Sequence, residues 1–290
     1  MRKNGRSEAA DSFFIISDPQ EHAYCFKEKS KRGKYMNYAD LNCDLGESFG
    51  AYKIGNDEAV IPLITSANIA CGFHAGDPVV MAKTMKLVKE AGVQPGAHPG
   101  YPDLSGFGRR NMKITPEEAK AYVIYQVGAL KAFADAEGLT LQHVKPHGAF
   151  YNMAGKDPVL AKAICEGIAS VSEDLIIMAL SGSEMVKAAA LVGIRAASEV
   201  FADRGYEEDG SLVARSKPGA MITDENEASA RVIRMIREGK VRAVTGKDID
   251  IRADSVCVHG DGAKALAFVE RLREDMGKEG ILLRPIGEFL

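Results

Sequence analysis

The 290 residues carry a formal net charge of -3, so no basic field marks nucleic acid or an anionic membrane as a partner. With 46% hydrophobic and 27% charged residues the chain can bury a full core, which excludes wholesale disorder, and no uncharged run approaches the length of a membrane span. Cys25, Cys43, Cys71, Cys165 and Cys257 are odd in number and never spaced C-x-x-C, which excludes a disulfide framework or a thiolate zinc site and fits a reducing cytoplasm.

Residues 1–35 have mixed charges and no helical or strand period, and a second methionine, Met36, precedes the first clear strand. They read as an extension, disordered or arising from an upstream start codon, with a strap over the domain as the alternative. From Met36 to the end, short apolar runs alternate with longer amphipathic segments, the pattern of β/α units in one domain over 36–290. Strands are expected at 38–43, 66–70, 93–97, 142–145, 175–179, 194–199 and 256–258. Helices are expected at 56–63, 78–91, 116–137, 158–170, 184–192, 225–238 and 263–276. Asp77-Pro78, Thr115-Pro116 and Asp157-Pro158 each place a capping side chain before a proline at the first helical position.

The first strand selects the architecture. Asp40, Asn42 and Asp44 share one face, while Leu41, Cys43 and Leu45 share the other. A strand inside an open parallel sheet is apolar on both faces. A barrel instead lets the inner face be polar near the mouth, so a single seven- or eight-stranded, TIM-like β/α barrel is the economical reading.

Strand exits then carry the chemistry. Four apolar runs end on a histidine beside glycine or proline, at His74, His98, His147 and His259. In a parallel barrel these exits converge, bringing together Asp44, Glu47, Asp103, Lys145, Glu199, Asp203, Arg204 and Asp261. We assign Asp44, His74, Lys145 and His147 to one catalytic cluster, with lysine stabilising an oxyanion and aspartate or histidine activating water. Asp44, His74 and His147 could bind a divalent metal, or form a carboxylate–histidine network without an ion. Substrate contacts are expected from Asn42, Glu47, His98, Glu199, Asp203 and Tyr206, and from Arg109, Arg110 and Arg204, whose glycine-containing loops suit an anionic small molecule.

Nucleotide motifs are incomplete. The stretch 239–247 ends in Gly-Lys but has the wrong glycine spacing for a P-loop, and Asp248 replaces its hydroxyl residue. The strand at 256–258 leads into Gly260-Asp-Gly262-Ala-Lys-Ala265, a G-x-G-x-x-A turn with too little chain after it for a dinucleotide fold. His259, Gly260, Asp261 and Gly262 therefore form either a phosphate-contacting turn or a plain strand-to-helix turn.

Several longer stretches resemble the LamB/YcsF family. They are Asp40-Leu-Asn-Cys-Asp-Leu-Gly-Glu47, Asn68-Ile-Ala-Cys-Gly-Phe-His-Ala-Gly-Asp77, Gly96-Ala-His-Pro-Gly-Tyr-Pro-Asp103, Val144-Lys-Pro-His-Gly-Ala-Phe-Tyr-Asn152 and Glu199-Val-Phe-Ala-Asp-Arg-Gly-Tyr206. The resemblance runs from about residue 36 to 285, and Phe150 stands where leucine is common. It implies a barrel of the polysaccharide-deacetylase type and ATP-dependent cleavage of 5-oxoproline to L-glutamate, with ATP as cosubstrate and subunits B and C as partners. A metal-dependent deacetylase or carbohydrate hydrolase on the same barrel, and a noncatalytic protein that presents substrate to partners, are the alternatives. Self-association is open in each case.

Overall fold

The structure, a computed structural model, describes residues 28–29, 35–258 and 263–290. Seven parallel strands close into a barrel: β1 (Tyr35–Leu45), β2 (Ser66–Ala70), β3 (Gln94–His98), β4 (His143–Val144), β5 (Ile176–Leu180), β6 (Ala196–Phe201) and β7 (Ser255–Cys257). Each pairs with the next in the chain, and β7 returns to β1 with Ser255 opposite Asp40 and Cys257 opposite Asn42. The expected strands are all present within two or three residues at each end. Seven rather than eight is the outcome. Ile281–Leu283 adds a parallel strand to the start of β1, and Lys240–Arg242 forms a hairpin with Asp248–Asp250; the sequence reading contained neither.

The long helices are α1 (Pro78–Ala91), α2 (Pro116–Glu137), α3 (Gly148–Ala154), α4 (Pro158–Val171), α5 (Glu184–Val192), α6 (Glu225–Glu238) and α7 (Ala263–Lys278). The proline starts behave as read. Asp77 accepts from the amides of Val79 and Val80 at 2.8 and 3.0 Å, Asp157 caps α4 in the same way, and Thr115 forms a reciprocal capping box with Glu118. No helix among the described residues is long and apolar enough to cross a membrane. The expected extension, 1–35, lies outside the described residues apart from Tyr35, the first residue of β1, and Glu28–Lys29, which pairs antiparallel with Tyr35 and Met36. His259, Gly260, Asp261 and Gly262 also lie outside them.

Outward residues of the strands, such as Leu41, Cys43, Leu45 and Ile69, pack against Met85, Val123, Leu130 and Ile164 in the helical layer. Fully burying a side chain of this size contributes about 1.5–3 kcal/mol. The barrel interior is different. At its base Ile176, Met178 and Ala197 close around Ile286, with Phe289 and Leu290 of the C-terminal segment packed beside them. The opposite wall is polar. Asp40 accepts from Thr65 and Ser66 at 2.6 Å each and from Ser255, and Asn42 donates to Ser255 at 2.8 Å. Asn68 donates to Asn42 at 2.7 Å and to Asp44 at 2.8 Å, and accepts from His143 at 2.7 Å. Gly96 makes room for that histidine, because a Cβ there would lie 2.2 Å from His143 Nε2. Buried polar groups without partners are costly, so this wall is tolerable only because its members satisfy one another.

Candidate active site

The polar wall continues upward to the strand exits, where a cavity of about 880 Å³ opens at the barrel mouth. Period-two alternation carries Asp44 onto the inner face after Asp40 and Asn42, and carries Lys145 inward after His143. Lys145 is 3% exposed, and its ammonium reaches Asn42 Oδ1 at 3.0 Å, Asp44 Oδ1 at 2.9 Å and Glu199 Oε1 at 2.7 Å. An ammonium has three protons, and its hydrogen bonds to Asn42, Asp44 and Cys257 engage them, with Glu199 as a close ion-pair partner. Burial works against the charge, but Asp44 and then Cys257 and Glu199 lift its pKa well above the usual lysine range. Lys145 is thus a fixed cation. For Asp44, burial favours the acid form, but His98 and Lys145 outweigh it and hold the carboxyl well below its ordinary range.

Beside this pair stand three imidazoles and a second carboxylate. Glu47 Oε1 lies 3.3 Å from His74 Nε2 and 3.6 Å from His147 Nδ1, and His147 Nδ1 lies 3.0 Å from His98 Nε2. His74 and His147 stack face to face with centroids 3.7 Å apart, and burial depresses the pKa of both, which keeps the stacked rings neutral. Gly108 permits the close approach of its loop: its φ is +62°, and a Cβ would lie 2.7 Å from His74 and 2.8 Å from His147.

The tautomers are set by backbone carbonyls, which only accept. His98 Nδ1 sits 2.7 Å from the Lys145 carbonyl and His147 Nε2 sits 2.9 Å from the Phe107 carbonyl, so each of these nitrogens carries a hydrogen. With both rings neutral, the nitrogens left over, His98 Nε2 and His147 Nδ1, point lone pairs at one another across 3.0 Å, and His98 Nε2 also lies 3.3 Å from Asp44 Oδ2. Such an arrangement requires a shared proton or a cation. Charge favours the cation: the three carboxylates Asp44, Glu47 and Glu199 face the Lys145 ammonium and the Arg109 guanidinium on the cavity wall, leaving an excess of negative charge. Spacing agrees. Ligand atoms on a tetrahedral ion with bonds of about 2.0–2.1 Å lie roughly 3.3 Å apart, and candidate donors of Glu47, His74, His98 and His147 all fall within 4.8 Å of one another.

The sequence reading grouped Asp44, His74, Lys145 and His147, and the structure brings all four together. It differs in detail: Glu47 and His98 join His74 and His147 in the group whose spacing could hold a metal ion, whereas Asp44 sits behind it, with Oδ2 3.3 Å from His98 Nε2. Arg109 lines the cavity with its guanidinium over the Phe107 ring. Arg110 is turned away, bonded to Asp103 and Ser105. Arg204 lines the cavity, but donates to the carbonyls of Val213 and Ala220 within its own loop. Tyr206 is fully buried and its hydroxyl accepts from the Phe201 amide, and Asp203 lies beside Arg204 and Arg231. Asn42 and Glu199 are interior members of the network, bound to Lys145. Sequence reasoning missed Tyr151, whose hydroxyl donates to Glu199 at 2.6 Å, and Cys257, 3.3 Å from Lys145 Nζ.

The chain and its architecture have known counterparts. The LamB/YcsF family model matches residues 39–290. The A subunit of 5-oxoprolinase from Clostridium beijerinckii is 64% identical over 251 residues, covering 87% of this chain and 98% of that protein. The protein of the same name from Pyrococcus abyssi is 56% identical over 87% of this chain and 98% of its own length. Among solved structures, a lactam utilization protein from Thermus thermophilus superposes with a TM-score of 0.81 at 45% identity, covering 85% of this chain and 99% of that one. On the family match and these identities, the chain belongs to the LamB/YcsF family.

Proposed function

We propose that this chain opens the lactam ring of 5-oxoproline to give L-glutamate, as the A component of an ATP-dependent 5-oxoprolinase working with subunits B and C in the cytoplasm. The observation that carries the reading is the facing histidine pair, His98 and His147, set among buried carboxylates at the mouth of a cavity ample for a small cyclic amide. The relatives named as A subunits of 5-oxoprolinase and the lactam utilization protein supply the substrate class.

An unactivated amide is a poor electrophile, which is the reason for coupling ring opening to ATP: transfer of the γ-phosphoryl group to the amide oxygen, with release of ADP, would make the ring carbonyl carbon more electrophilic toward water. A divalent cation at Glu47, His74, His98 and His147 would supply Lewis-acid polarisation and a more acidic water. The protein's own groups do the rest. Asp44, kept ionised by Lys145, can accept a hydrogen bond from the attacking water and orient it. Arg109 offers the substrate carboxylate a guanidinium on the cavity wall. Lys145, with its protons already engaged, contributes field and position rather than a transferable proton.

The test is glutamate release from 5-oxoproline with ATP, with and without subunits B and C. We expect turnover with both partners and almost none from this chain alone. No release from the full set would overturn the substrate, and fast ATP-dependent release by the isolated chain would overturn the division of labour.

A further inference from the structure

The cradle around Lys145 has a side that the histidine cluster does not use. Asp44 and Asn42 come from β1 and Cys257 from β7, and they hold the ammonium from one direction. Glu199 of β6 holds it from the other at 2.7 Å. Glu199 is fully buried, and a buried carboxylate needs donors for both oxygens. Oε1 has Lys145. Oε2 accepts from the hydroxyl of Tyr151 at 2.6 Å, a charge-assisted bond at the short end of its range. Tyr151 belongs to α3, is 4% exposed, lines the cavity and packs edge-on against Phe201. Burial and the neighbouring Glu199 raise its pKa well above the usual range, so the phenol stays a donor.

We propose that Tyr151 is a positioning residue for ring opening: it anchors Glu199, and through Glu199 it fixes the Lys145 ammonium beside Asp44. The chain of contacts is Tyr151 Oη to Glu199, Glu199 to Lys145, Lys145 to Asp44, and Asp44 to His98 Nε2. Without the hydroxyl, Glu199 Oε2 loses its donor in a fully buried site. The carboxylate then competes for more of the ammonium's protons, and Asp44 loses part of the bond that orients it toward His98. Outer partners of this kind typically cost 10- to 100-fold in activity when removed, although they touch no reacting atom.

The catalytic half of this inference rests on the proposed lactam reaction, whereas the cradle itself does not, so two measurements separate them. The first uses the chain labelled with 15N-lysine, with the Lys145 ammonium signal assigned by its loss in Lys145→Met. In the unmodified chain that signal should be protected from solvent exchange. In Tyr151→Phe and in Glu199→Gln the protection should fall by about tenfold or more at a nearly unchanged melting temperature. Unchanged protection in both variants would overturn the cradle. The second measures 5-oxoproline turnover by the chain with subunits B and C. Tyr151→Phe should lower kcat by about 10- to 100-fold and leave KM within about twofold, and adding it to Glu199→Gln should cost little more than Glu199→Gln alone. Full kcat in Tyr151→Phe, or additive losses in the double variant, would overturn the positioning role. An inactive unmodified assembly would refute the lactam reading and, with it, the catalytic half, while the exchange measurement would still decide the cradle.

Discussion

The two walls of the barrel interior solve the same packing problem with opposite chemistry. On β5 and β6 the inward positions Ile176, Met178 and Ala197 are apolar and close around Ile286. On β1 and β2 the inward positions Asp40, Asn42, Asp44, Ser66 and Asn68 are polar, and each makes at least one hydrogen bond at 2.6–3.0 Å. The apolar wall gains from burial alone and tolerates any side chain of suitable volume. The polar wall is favourable only when complete, and its completeness fixes the position of the groups at its upper end. Inside the barrel, apolar burial therefore lies on one side of the axis and positional precision on the other.

Substitutions at the two walls should accordingly separate activity from stability. The largest effect is expected at the mouth, where His147→Ala should remove a donor of the cation cage and lower turnover by about 1000-fold, or about 4 kcal/mol of barrier, with a small change in melting temperature. Turnover within tenfold of the unmodified protein would break the link between the polar wall and catalysis. At the base, Met178→Ala should behave oppositely: a loss of about 3 kcal/mol in denaturant unfolding, with kcat per folded molecule within about twofold. Comparable losses of stability and kcat would mean that the walls are not independent.

Asp40 sharpens the comparison through pH. Burial raises its carboxyl from 3.8 to about 6, against the lowering effect of its three hydroxyl donors. The native state therefore binds a proton more tightly than the unfolded chain, so this group's contribution falls as pH rises between about 4 and 6. The difference corresponds to about 3 kcal/mol as an upper figure. Relative to Asp40→Asn, the unmodified protein should lose stability from pH 4 to pH 7; parallel urea-unfolding profiles would contradict it. The smallest effect separates neighbouring arginines: Arg109→Ala should raise KM by about tenfold, whereas Arg110→Ala, which breaks the contacts with Asp103 and Ser105 away from the cavity, should leave KM within about twofold. Equal effects would show that the loop, not one guanidinium, binds the anion.

Much of the barrel was legible because its signals are local. The alternation of Asp40, Asn42 and Asp44 with leucine and cysteine identified an inner face, and the three Asp-Pro or Thr-Pro starts placed helix boundaries. The gathering of histidines at strand exits followed from parallel topology. What stayed hidden depends on turns and distant neighbours. Gly46, with φ of +67°, redirects the chain after β1 so that Glu47 faces the imidazoles, and no periodicity reveals which of Asp44 and Glu47 joins them. Tyr151 stood only as one residue of a family stretch because its partner is 48 residues away on another strand. Arg110 and Tyr206 looked like binding residues because exposed charge and phenol are ambiguous until Asp103 and the Phe201 amide are seen to occupy them.

The claim on which the account turns is that the facing nitrogens of His98 and His147 hold a cation. Titrating the metal-stripped chain with cobalt(II), followed by its ligand-field spectrum and by calorimetry, tests it directly. The account predicts saturation at about one ion per chain with a spectrum of nitrogen and oxygen ligands in a four- or five-coordinate site, and loss of that binding in both His98→Ala and His147→Ala. Absence of stoichiometric binding in the unmodified chain, or binding unaffected by removal of either histidine, would contradict it.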